Sequence, residues 1–275
     1  MKSIVTAIAL MLLTSLTPLV AQNESKEQLV VSLTDPGKPG SLEVGLVNGF
    51  IHVVGSNSRE VVIEASSTPR NSNRNDDRAT ASGGMRRIPS GNSLEISAEE
   101  RDNNIRIQTS SHARPVNLTI RVPQRFSLKI STVNNGDISV ENVSGTLEVK
   151  NVNGPIELNN IGGSAVANTV NGHLTATFRE VDSKAPMAFS TLNGRIDVSL
   201  PASVKANLKM KSDQGEIFSD FDVDIDKSQP KATRSSQSGM YRVSVDDWVN
   251  GRINGGGPEM MVKSMMGNIY IRKAK

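Results

Sequence analysis

The chain has 275 residues, with 31 lysines and arginines against 28 aspartates and glutamates, a formal net charge of +3 at neutral pH. A surplus that small, with only 3% aromatic residues, excludes the basic, base-stacking footprint of a nucleic-acid binder. There is no cysteine, which excludes a disulfide framework and a lipoprotein attachment thiol, so an apolar core alone must hold the fold together.

In chain order, Lys2 precedes a largely apolar, uncharged stretch from Ile4 to Val20, and Leu19-Val20-Ala21 stands before a polar run that begins at Gln22. This is the layout of a secretory signal peptide over residues 1–21. An uncleaved membrane anchor is the alternative, but the small residue at Ala21 and the polar run favour cleavage, with no stable transmembrane anchor afterwards. The expected location is exported: periplasm, cell surface or secreted. Residues 22–40 read as a polar entry segment closed by the turn cluster Pro36-Gly37-Lys38-Pro39-Gly40.

From residue 41 to 275 the sequence predicts one all-β domain. No segment repeats at helical period, while alternating runs rich in Val, Ile and Thr recur. Strands are expected at 42–44, 48–53, 60–65, 94–96, 105–107 and 116–122, the last stopped by Pro123. Polar insertions at about 68–92 and 220–250 interrupt them.

The most regular segment follows. Gly136, Gly145, Gly154, Gly163 and Gly172 stand nine residues apart, and the positions two, four and seven after each are apolar throughout except at Arg179. Nine residues hold a strand of five or six and a tight turn. Asn153-Gly154 and Asn171-Gly172 alternate with Ser144-Gly145 and Gly162-Gly163, so the full period is eighteen with two similar halves. That predicts a two-sided β-solenoid, a β-helix-like stack of nine-residue half-coils; an antiparallel β-meander or sandwich is the alternative, because Asn-Gly is also a hairpin signal. The apolar seventh position favours the solenoid, since it implies a corner that faces the core. Positive φ at the Asn-Gly pairs is expected to explain those turns. Two asparagine ladders are expected, one of Asn142, Asn151 and Asn160 and one of Asn135, Asn153 and Asn171. The Gly-x-apolar unit returns at Gly194, Gly215, Gly251 and Gly267.

With these repeats in place, the chain from about Leu42 to Lys273 resembles the bacterial DUF4097 family of "putative adhesins", a β-strand repeat domain. The resemblance is carried by Asn48-Gly49-Phe50-Ile51-His52-Val53, Glu60-Val61-Val62-Ile63, Arg121-Val122-Pro123, the nine-residue array and Gly267-Asn268-Ile269-Tyr270-Ile271. The family has no established catalytic residues to carry over, and the resemblance implies an adhesin-like role.

The search for chemistry assigns no catalytic, cofactor-binding or metal-binding residue. His52, His112 and His173 have no zinc-ligand spacing. Glu141, Glu148 and Glu157 are expected on outer faces, with Glu148 opposite the other two and beside Lys150; this is the best case for a carbohydrate-active enzyme, and exposed strand carboxylates more simply keep a sheet soluble. Asp222, Asp224 and Asp226 share a strand face without the calcium motif of β-rolls. Trp248 is expected to cap the apolar end of the stack. The resulting expectation is an exported, non-catalytic β-repeat protein that offers an extended binding or scaffold surface. Its partner is an extracytoplasmic protein or polysaccharide of unknown identity, and self-association through the Met260–Met266 segment is the structural alternative.

Overall fold

The computed structural model describes residues 25–67, 95–109, 115–134, 136–226, 232–237, 240–245 and 247–274. The signal segment, the insertion at 68–92, His112 and Asn135 lie outside them. Among the described residues every regular element is a β-strand. In chain order these are β1 (Ser25–Ser32), β2 (Gly40–Asn48), β3 (Ile51–Ser56), β4 (Glu60–Ser67), β5 (Ile96–Arg101), β6 (Asn104–Thr109), β7 (Val116–Pro123) and β8 (Phe126–Asn134). The array supplies β9 (Ile138–Glu141), β10 (Ser144–Asn151), β11 (Ile156–Asn171) and β12 (Leu174–Val181). There follow β13 (Met187–Asn193), β14 (Ile196–Leu200), β15 (Ala206–Ser212), β16 (Ile217–Ser219), β17 (Val223–Ile225), β18 (Ala232–Gln237), β19 (Met240–Val245), β20 (Val249–Ile253), β21 (Glu259–Ser264) and β22 (Ile269–Lys273). The expected polar entry thus contains a strand, β1, which pairs antiparallel with β4. Its Leu29 and Val31 pack against the core on either side of an exposed Val30, a burial pattern that the run Leu29-Val30-Val31 does not display in sequence.

The fold is a two-sided parallel β-solenoid. Ile138 pairs with Ile156, and Ile156 with Leu174, each eighteen residues on, in parallel register. Parallel pairing through the array excludes the meander. One sheet stacks β6, β2, β8, β10, the second half of β11, β13, β21 and β15; the other stacks β7, β3, β9, the first half of β11, β12, β14, β22 and β16. Within this stack, among the described residues, antiparallel strands lie only at the ends, β5 on β6, β4 and β1 beyond β7, and β20 and β17 beyond β15. β18 and β19 form a separate hairpin.

Coil order departs from chain order at both ends. The β2–β3 coil lies between β6–β7 and β8–β9, and the β21–β22 coil lies between β13–β14 and β15–β16.

The core lies between the two sheets, where alternate residues of each strand stack like on like. One column runs Leu42, Leu128, Leu147, Ala165, Met187, Met260 and Leu208, each at most 5% exposed. Burying each large member contributes about 1.5–3 kcal/mol. Where the column narrows to Ala165, with Ala167 and Ala176 nearby, Phe178 and Phe189 fill the space edge to face, their centroids 6.1 Å apart. Core volume is thereby conserved along the stack.

Candidate binding surfaces

The two corners of each coil differ, and the difference generates the surfaces. At the first corner Val143 and Ile161 are fully buried, as the apolar seventh position predicted. Here Asn142 and Asn160 turn the chain in the left-handed region, with φ of 58° and 54°, and the Asn160 amide donates to Asn142 Oδ1 at 2.6 Å. Arg179, the one polar residue at this position, donates from its guanidinium to the Asn160 carbonyl at 3.1 Å and to Ser144 Oγ. A one-residue register shift brings Phe178 to the place of Ile161 and is undone at Gly162, which faces Glu180; the array loses its step later, between β12 and β13, where Asn171 faces Asn193.

At the second corner, carrying Gly136, Gly154, Gly172, Gly194 and Gly267, the expected positive φ occurs at Gly154 (156°) and not at the other four, and close stacking is what all five share. A Cβ on Gly172 would stand 2.0 Å from the Gly154 carbonyl oxygen, and one on Gly194 would stand 2.0 Å from that of Gly172. Glycine is needed so that coils can touch backbone to backbone. The inward carbonyls are met by a column of short polar side chains. Thr132 donates to Gly49 O at 3.1 Å, Asn151 to Gly136 O at 2.7 Å, Thr169 to Gly154 O at 3.0 Å, Thr191 to Gly172 O at 2.9 Å and Ser264 to Gly194 O at 3.0 Å. Asn151 therefore belongs to this buried column and not to the exposed ladder of Asn142 and Asn160. Sequence reasoning missed the column, although a Thr, Ser or Asn three residues before most of these glycines was its signal.

Outside the same corner the expected second asparagine ladder forms, with Asn134 in the position assigned to Asn135. The Asn153 amide donates to Asn134 Oδ1 at 3.4 Å, Asn171 to Asn153 at 2.8 Å and Asn193 to Asn171 at 2.7 Å. Beside it runs a ridge of apolar side chains in register, Val47, Val133, Val152, Val170, Leu192 and Met265, each 37–42% exposed. Val152 and Val170 were expected to face the core. They point out because this corner's inward position is taken by the polar column. The ridge spans five strand spacings, about 24 Å.

Charge decorates the first sheet's outer face. Glu43 lies between Arg106, at 2.8 Å, and Lys129, at 2.9 Å, and Glu148 pairs with Lys150 at 2.5 Å. Hydrogen bonds from Lys129 and then Arg106 hold the Glu43 carboxyl below its ordinary range, and Lys150 does the same for Glu148. The second sheet's outer face carries Glu141 and Glu157 on neighbouring coils, as expected. His52 Nε2 stands 3.6 Å from Glu141 Oε1, and Glu157 lies between Ser139 and Thr175. His173 is exposed and its Nδ1 accepts the Arg195 N–H at 3.1 Å. Among the described residues no group of three or more His, Asp or Glu is placed to hold a metal; Asp224 instead pairs with Arg252 at 2.7 Å.

Besides Phe50, which is 40% exposed just before β3, three outward aromatic rings lie around β15, β22 and β16. Trp248 meets the Lys209 ammonium 5.0 Å from its ring centre, against an outward side chain of β15, so its contact is lateral and not the expected end cap. On the opposite sheet, Phe218 and Tyr270 stack at 5.2 Å and 11°. Arg272 lies 4.9 Å from the Tyr270 ring and is held by Asp197 at 2.9 and 3.0 Å. Asn268 donates to the Tyr270 hydroxyl at 3.1 Å. Sequence reading could not assemble this cluster, because β14, β22 and β16 become neighbours only through the inserted coil.

These features define a rigid two-sheet solenoid with repeating corners. Residues 132–248 match the family model Toastrack DUF4097. Two solved structures are similar over 92% of this chain. One is a "putative cell adhesion protein" from Clostridium sporogenes, 11% identical, with a TM-score of 0.46 and all of its own chain covered. The other is a "putative adhesin" from Bacteroides fragilis, 12% identical, with a TM-score of 0.43 and 98% of its chain covered. No curated protein matches. No helix of the described residues is long and apolar enough to cross a membrane.

Proposed function

We propose that the protein is an exported, non-catalytic element of the cell envelope that offers a rigid binding or scaffold surface, adhesin-like in its action. The observation that carries this reading is the exposed ridge from Val47 to Met265. A solvent-facing corner is free to be polar, and an ordered line of exposed apolar side chains marks a contact surface. The backbone beneath it is fixed by the buried Thr, Ser and Asn hydrogen bonds, so a partner can be met without ordering a loop. The signal-peptide layout supports export, and Glu141 and Glu157 act in this reading as ordinary solubilising carboxylates. The test is retention of the chain from Gln22 to Lys275 on envelope fractions, compared with a V152S/V170S/L192S variant. Equal retention of the two would remove the ridge from the interface.

A structural assembly role is favoured by one feature, the uniform pitch of the ridge. Two copies related by a twofold axis across the stack present identical spacing to each other. Sedimentation of the chain with and without the ridge substitutions separates this role from binding to a different partner.

A further inference from the structure

We propose that the Phe218–Tyr270 stack, with Arg272, Asp197 and Asn268, is a binding site for a neutral pyranose glycan, which names a ligand class for the binding reading above and rests on it. The two rings stand side by side on the solvent face of adjacent strands, 5.2 Å apart. Tyr270 is enclosed: Phe218 covers one side, Arg272 lies against the ring, and Asn268 donates to its hydroxyl. Phe218 is not enclosed. It is 44% exposed, and its strand, β16, pairs only with β22 among the described residues. One ring face therefore looks past the end of the stack, where a flat C–H surface can cover it. Phe126, Phe178 and Phe189 are fully buried, and Phe50, exposed at 40%, has no stacked ring beside it among the described residues. An exposed ring already stiffened by stacking loses little freedom on contact, the property that makes aromatic side chains effective anchors.

The polar groups around the rings suit hydroxyls. Arg272 is fixed by two contacts to one carboxylate, leaving fork donors in a set orientation, while Asp197, at 19% side-chain exposure, is an acceptor whose geometry that contact fixes. Planar donor and acceptor groups beside an apolar ring match a pyranose, which has an apolar face and a rim of hydroxyls. Local charge narrows the class. Asp197 holds Arg272 and Asp220 acts on the same guanidinium, so the cation against the ring is already answered by carboxylates, and an acidic sugar gains little from it where a neutral one needs no charge partner.

The test is affinity electrophoresis of the chain from Gln22 to Lys275 through gels containing a soluble neutral glucan, mannan or galactan, with polygalacturonate as the acidic counterpart. Retardation by a neutral glycan is expected, weakened at least tenfold by Phe218→Ala and retained by Phe218→Trp. Trp248→Ala, on the other sheet, is expected to behave as the wild type. Unchanged thermal melting of Phe218→Ala separates lost binding from lost fold. No retardation by any neutral glycan, equal retardation of wild type and Phe218→Ala, or stronger retardation by polygalacturonate overturns the assignment. Envelope-fraction retention is measured in parallel: if it persists in such a case, only this site falls, and if it is absent the binding reading falls with it.

Discussion

The Thr169 hydroxyl donates to the carbonyl of Gly154, 3.0 Å away on the neighbouring coil, and the glycine's lack of a side chain is what lets the two coils approach. The hydrogen bond and the glycine are two halves of one joint, repeated along the stack.

Removing the hydroxyl tests the first half. Thr169→Val keeps the shape and strands a buried carbonyl, which costs about 1–3 kcal/mol. Thr191→Val is expected to cost a similar amount. Asn171→Ala, on the exposed ladder, is expected to cost about 1 kcal/mol or less. Urea unfolding of the three variants checks the ranking.

The second half is tested by Gly172→Ala. Its Cβ would meet the Gly154 oxygen at 2.0 Å and carbonyl carbon at 2.5 Å, backbone atoms that cannot swing away. The expected loss is at the upper end of the about 1–3 kcal/mol typical of overpacking, or beyond it. Gly255→Ala meets nothing within 4 Å and carries only the strain of a φ of +84°, about 1–2 kcal/mol. Thermal melting of both should place Gly172→Ala well below Gly255→Ala.

The ridge should behave oppositely to the core. Val152→Ser, Val170→Ser and Leu192→Ser are each expected to change stability by about 0.5 kcal/mol or less, as surface substitutions do, while lowering retention on envelope fractions or self-association. Melting and sedimentation of the triple variant check both parts.

Acid should loosen the N-terminal end of the stack. Glu100 accepts the Thr34 and Asn103 N–H groups at 3.0 and 2.9 Å, and these bonds hold its carboxyl below the ordinary range. Glu43 is lowered by Lys129 and Arg106. A depressed folded-state value means that the stabilisation is present above the unfolded value, about 4.3, and is lost as pH falls through the folded one. Melting temperature should therefore drop below about pH 4, less steeply in Glu100→Gln than in the wild type. Equal slopes would remove Glu100 from the effect.

Glu141→Gln and Glu157→Gln are expected to leave any measured glycan turnover unchanged. Reducing-end release from a polysaccharide panel checks this, and a loss of release in either variant would restore the enzyme reading.

The period of eighteen, the parallel stack and the opposite placement of Glu148 were legible because each follows from local spacing. The sides of the corners were half legible. Val143 and Val152 look alike in sequence, and only the polar residue at position 151, buried beneath the glycine carbonyl, sends Val152 outward. Coil order was not legible at all. Leu42 and Val44, Leu128 and Ile130, and Met260 and Val262 present the same two apolar columns, so nothing local says which coil lies against which. The Phe218–Tyr270–Asp197 cluster was hidden for that reason.

The insertion of β2–β3 and β21–β22 one layer inward has a consequence for how this chain can be made and altered. An ordinary solenoid grows by accretion, each new repeat settling on the last, and can lose or gain repeats at its tips. Here the β21–β22 coil must enter a slot between β13–β14 and β15–β16, both earlier in the chain, so β15–β16 has no layer to stack on until residues 259–273 are in place. Cutting the chain before Glu259 would excise a middle layer and leave a gap, so coils cannot be trimmed from this end of the stack in chain order.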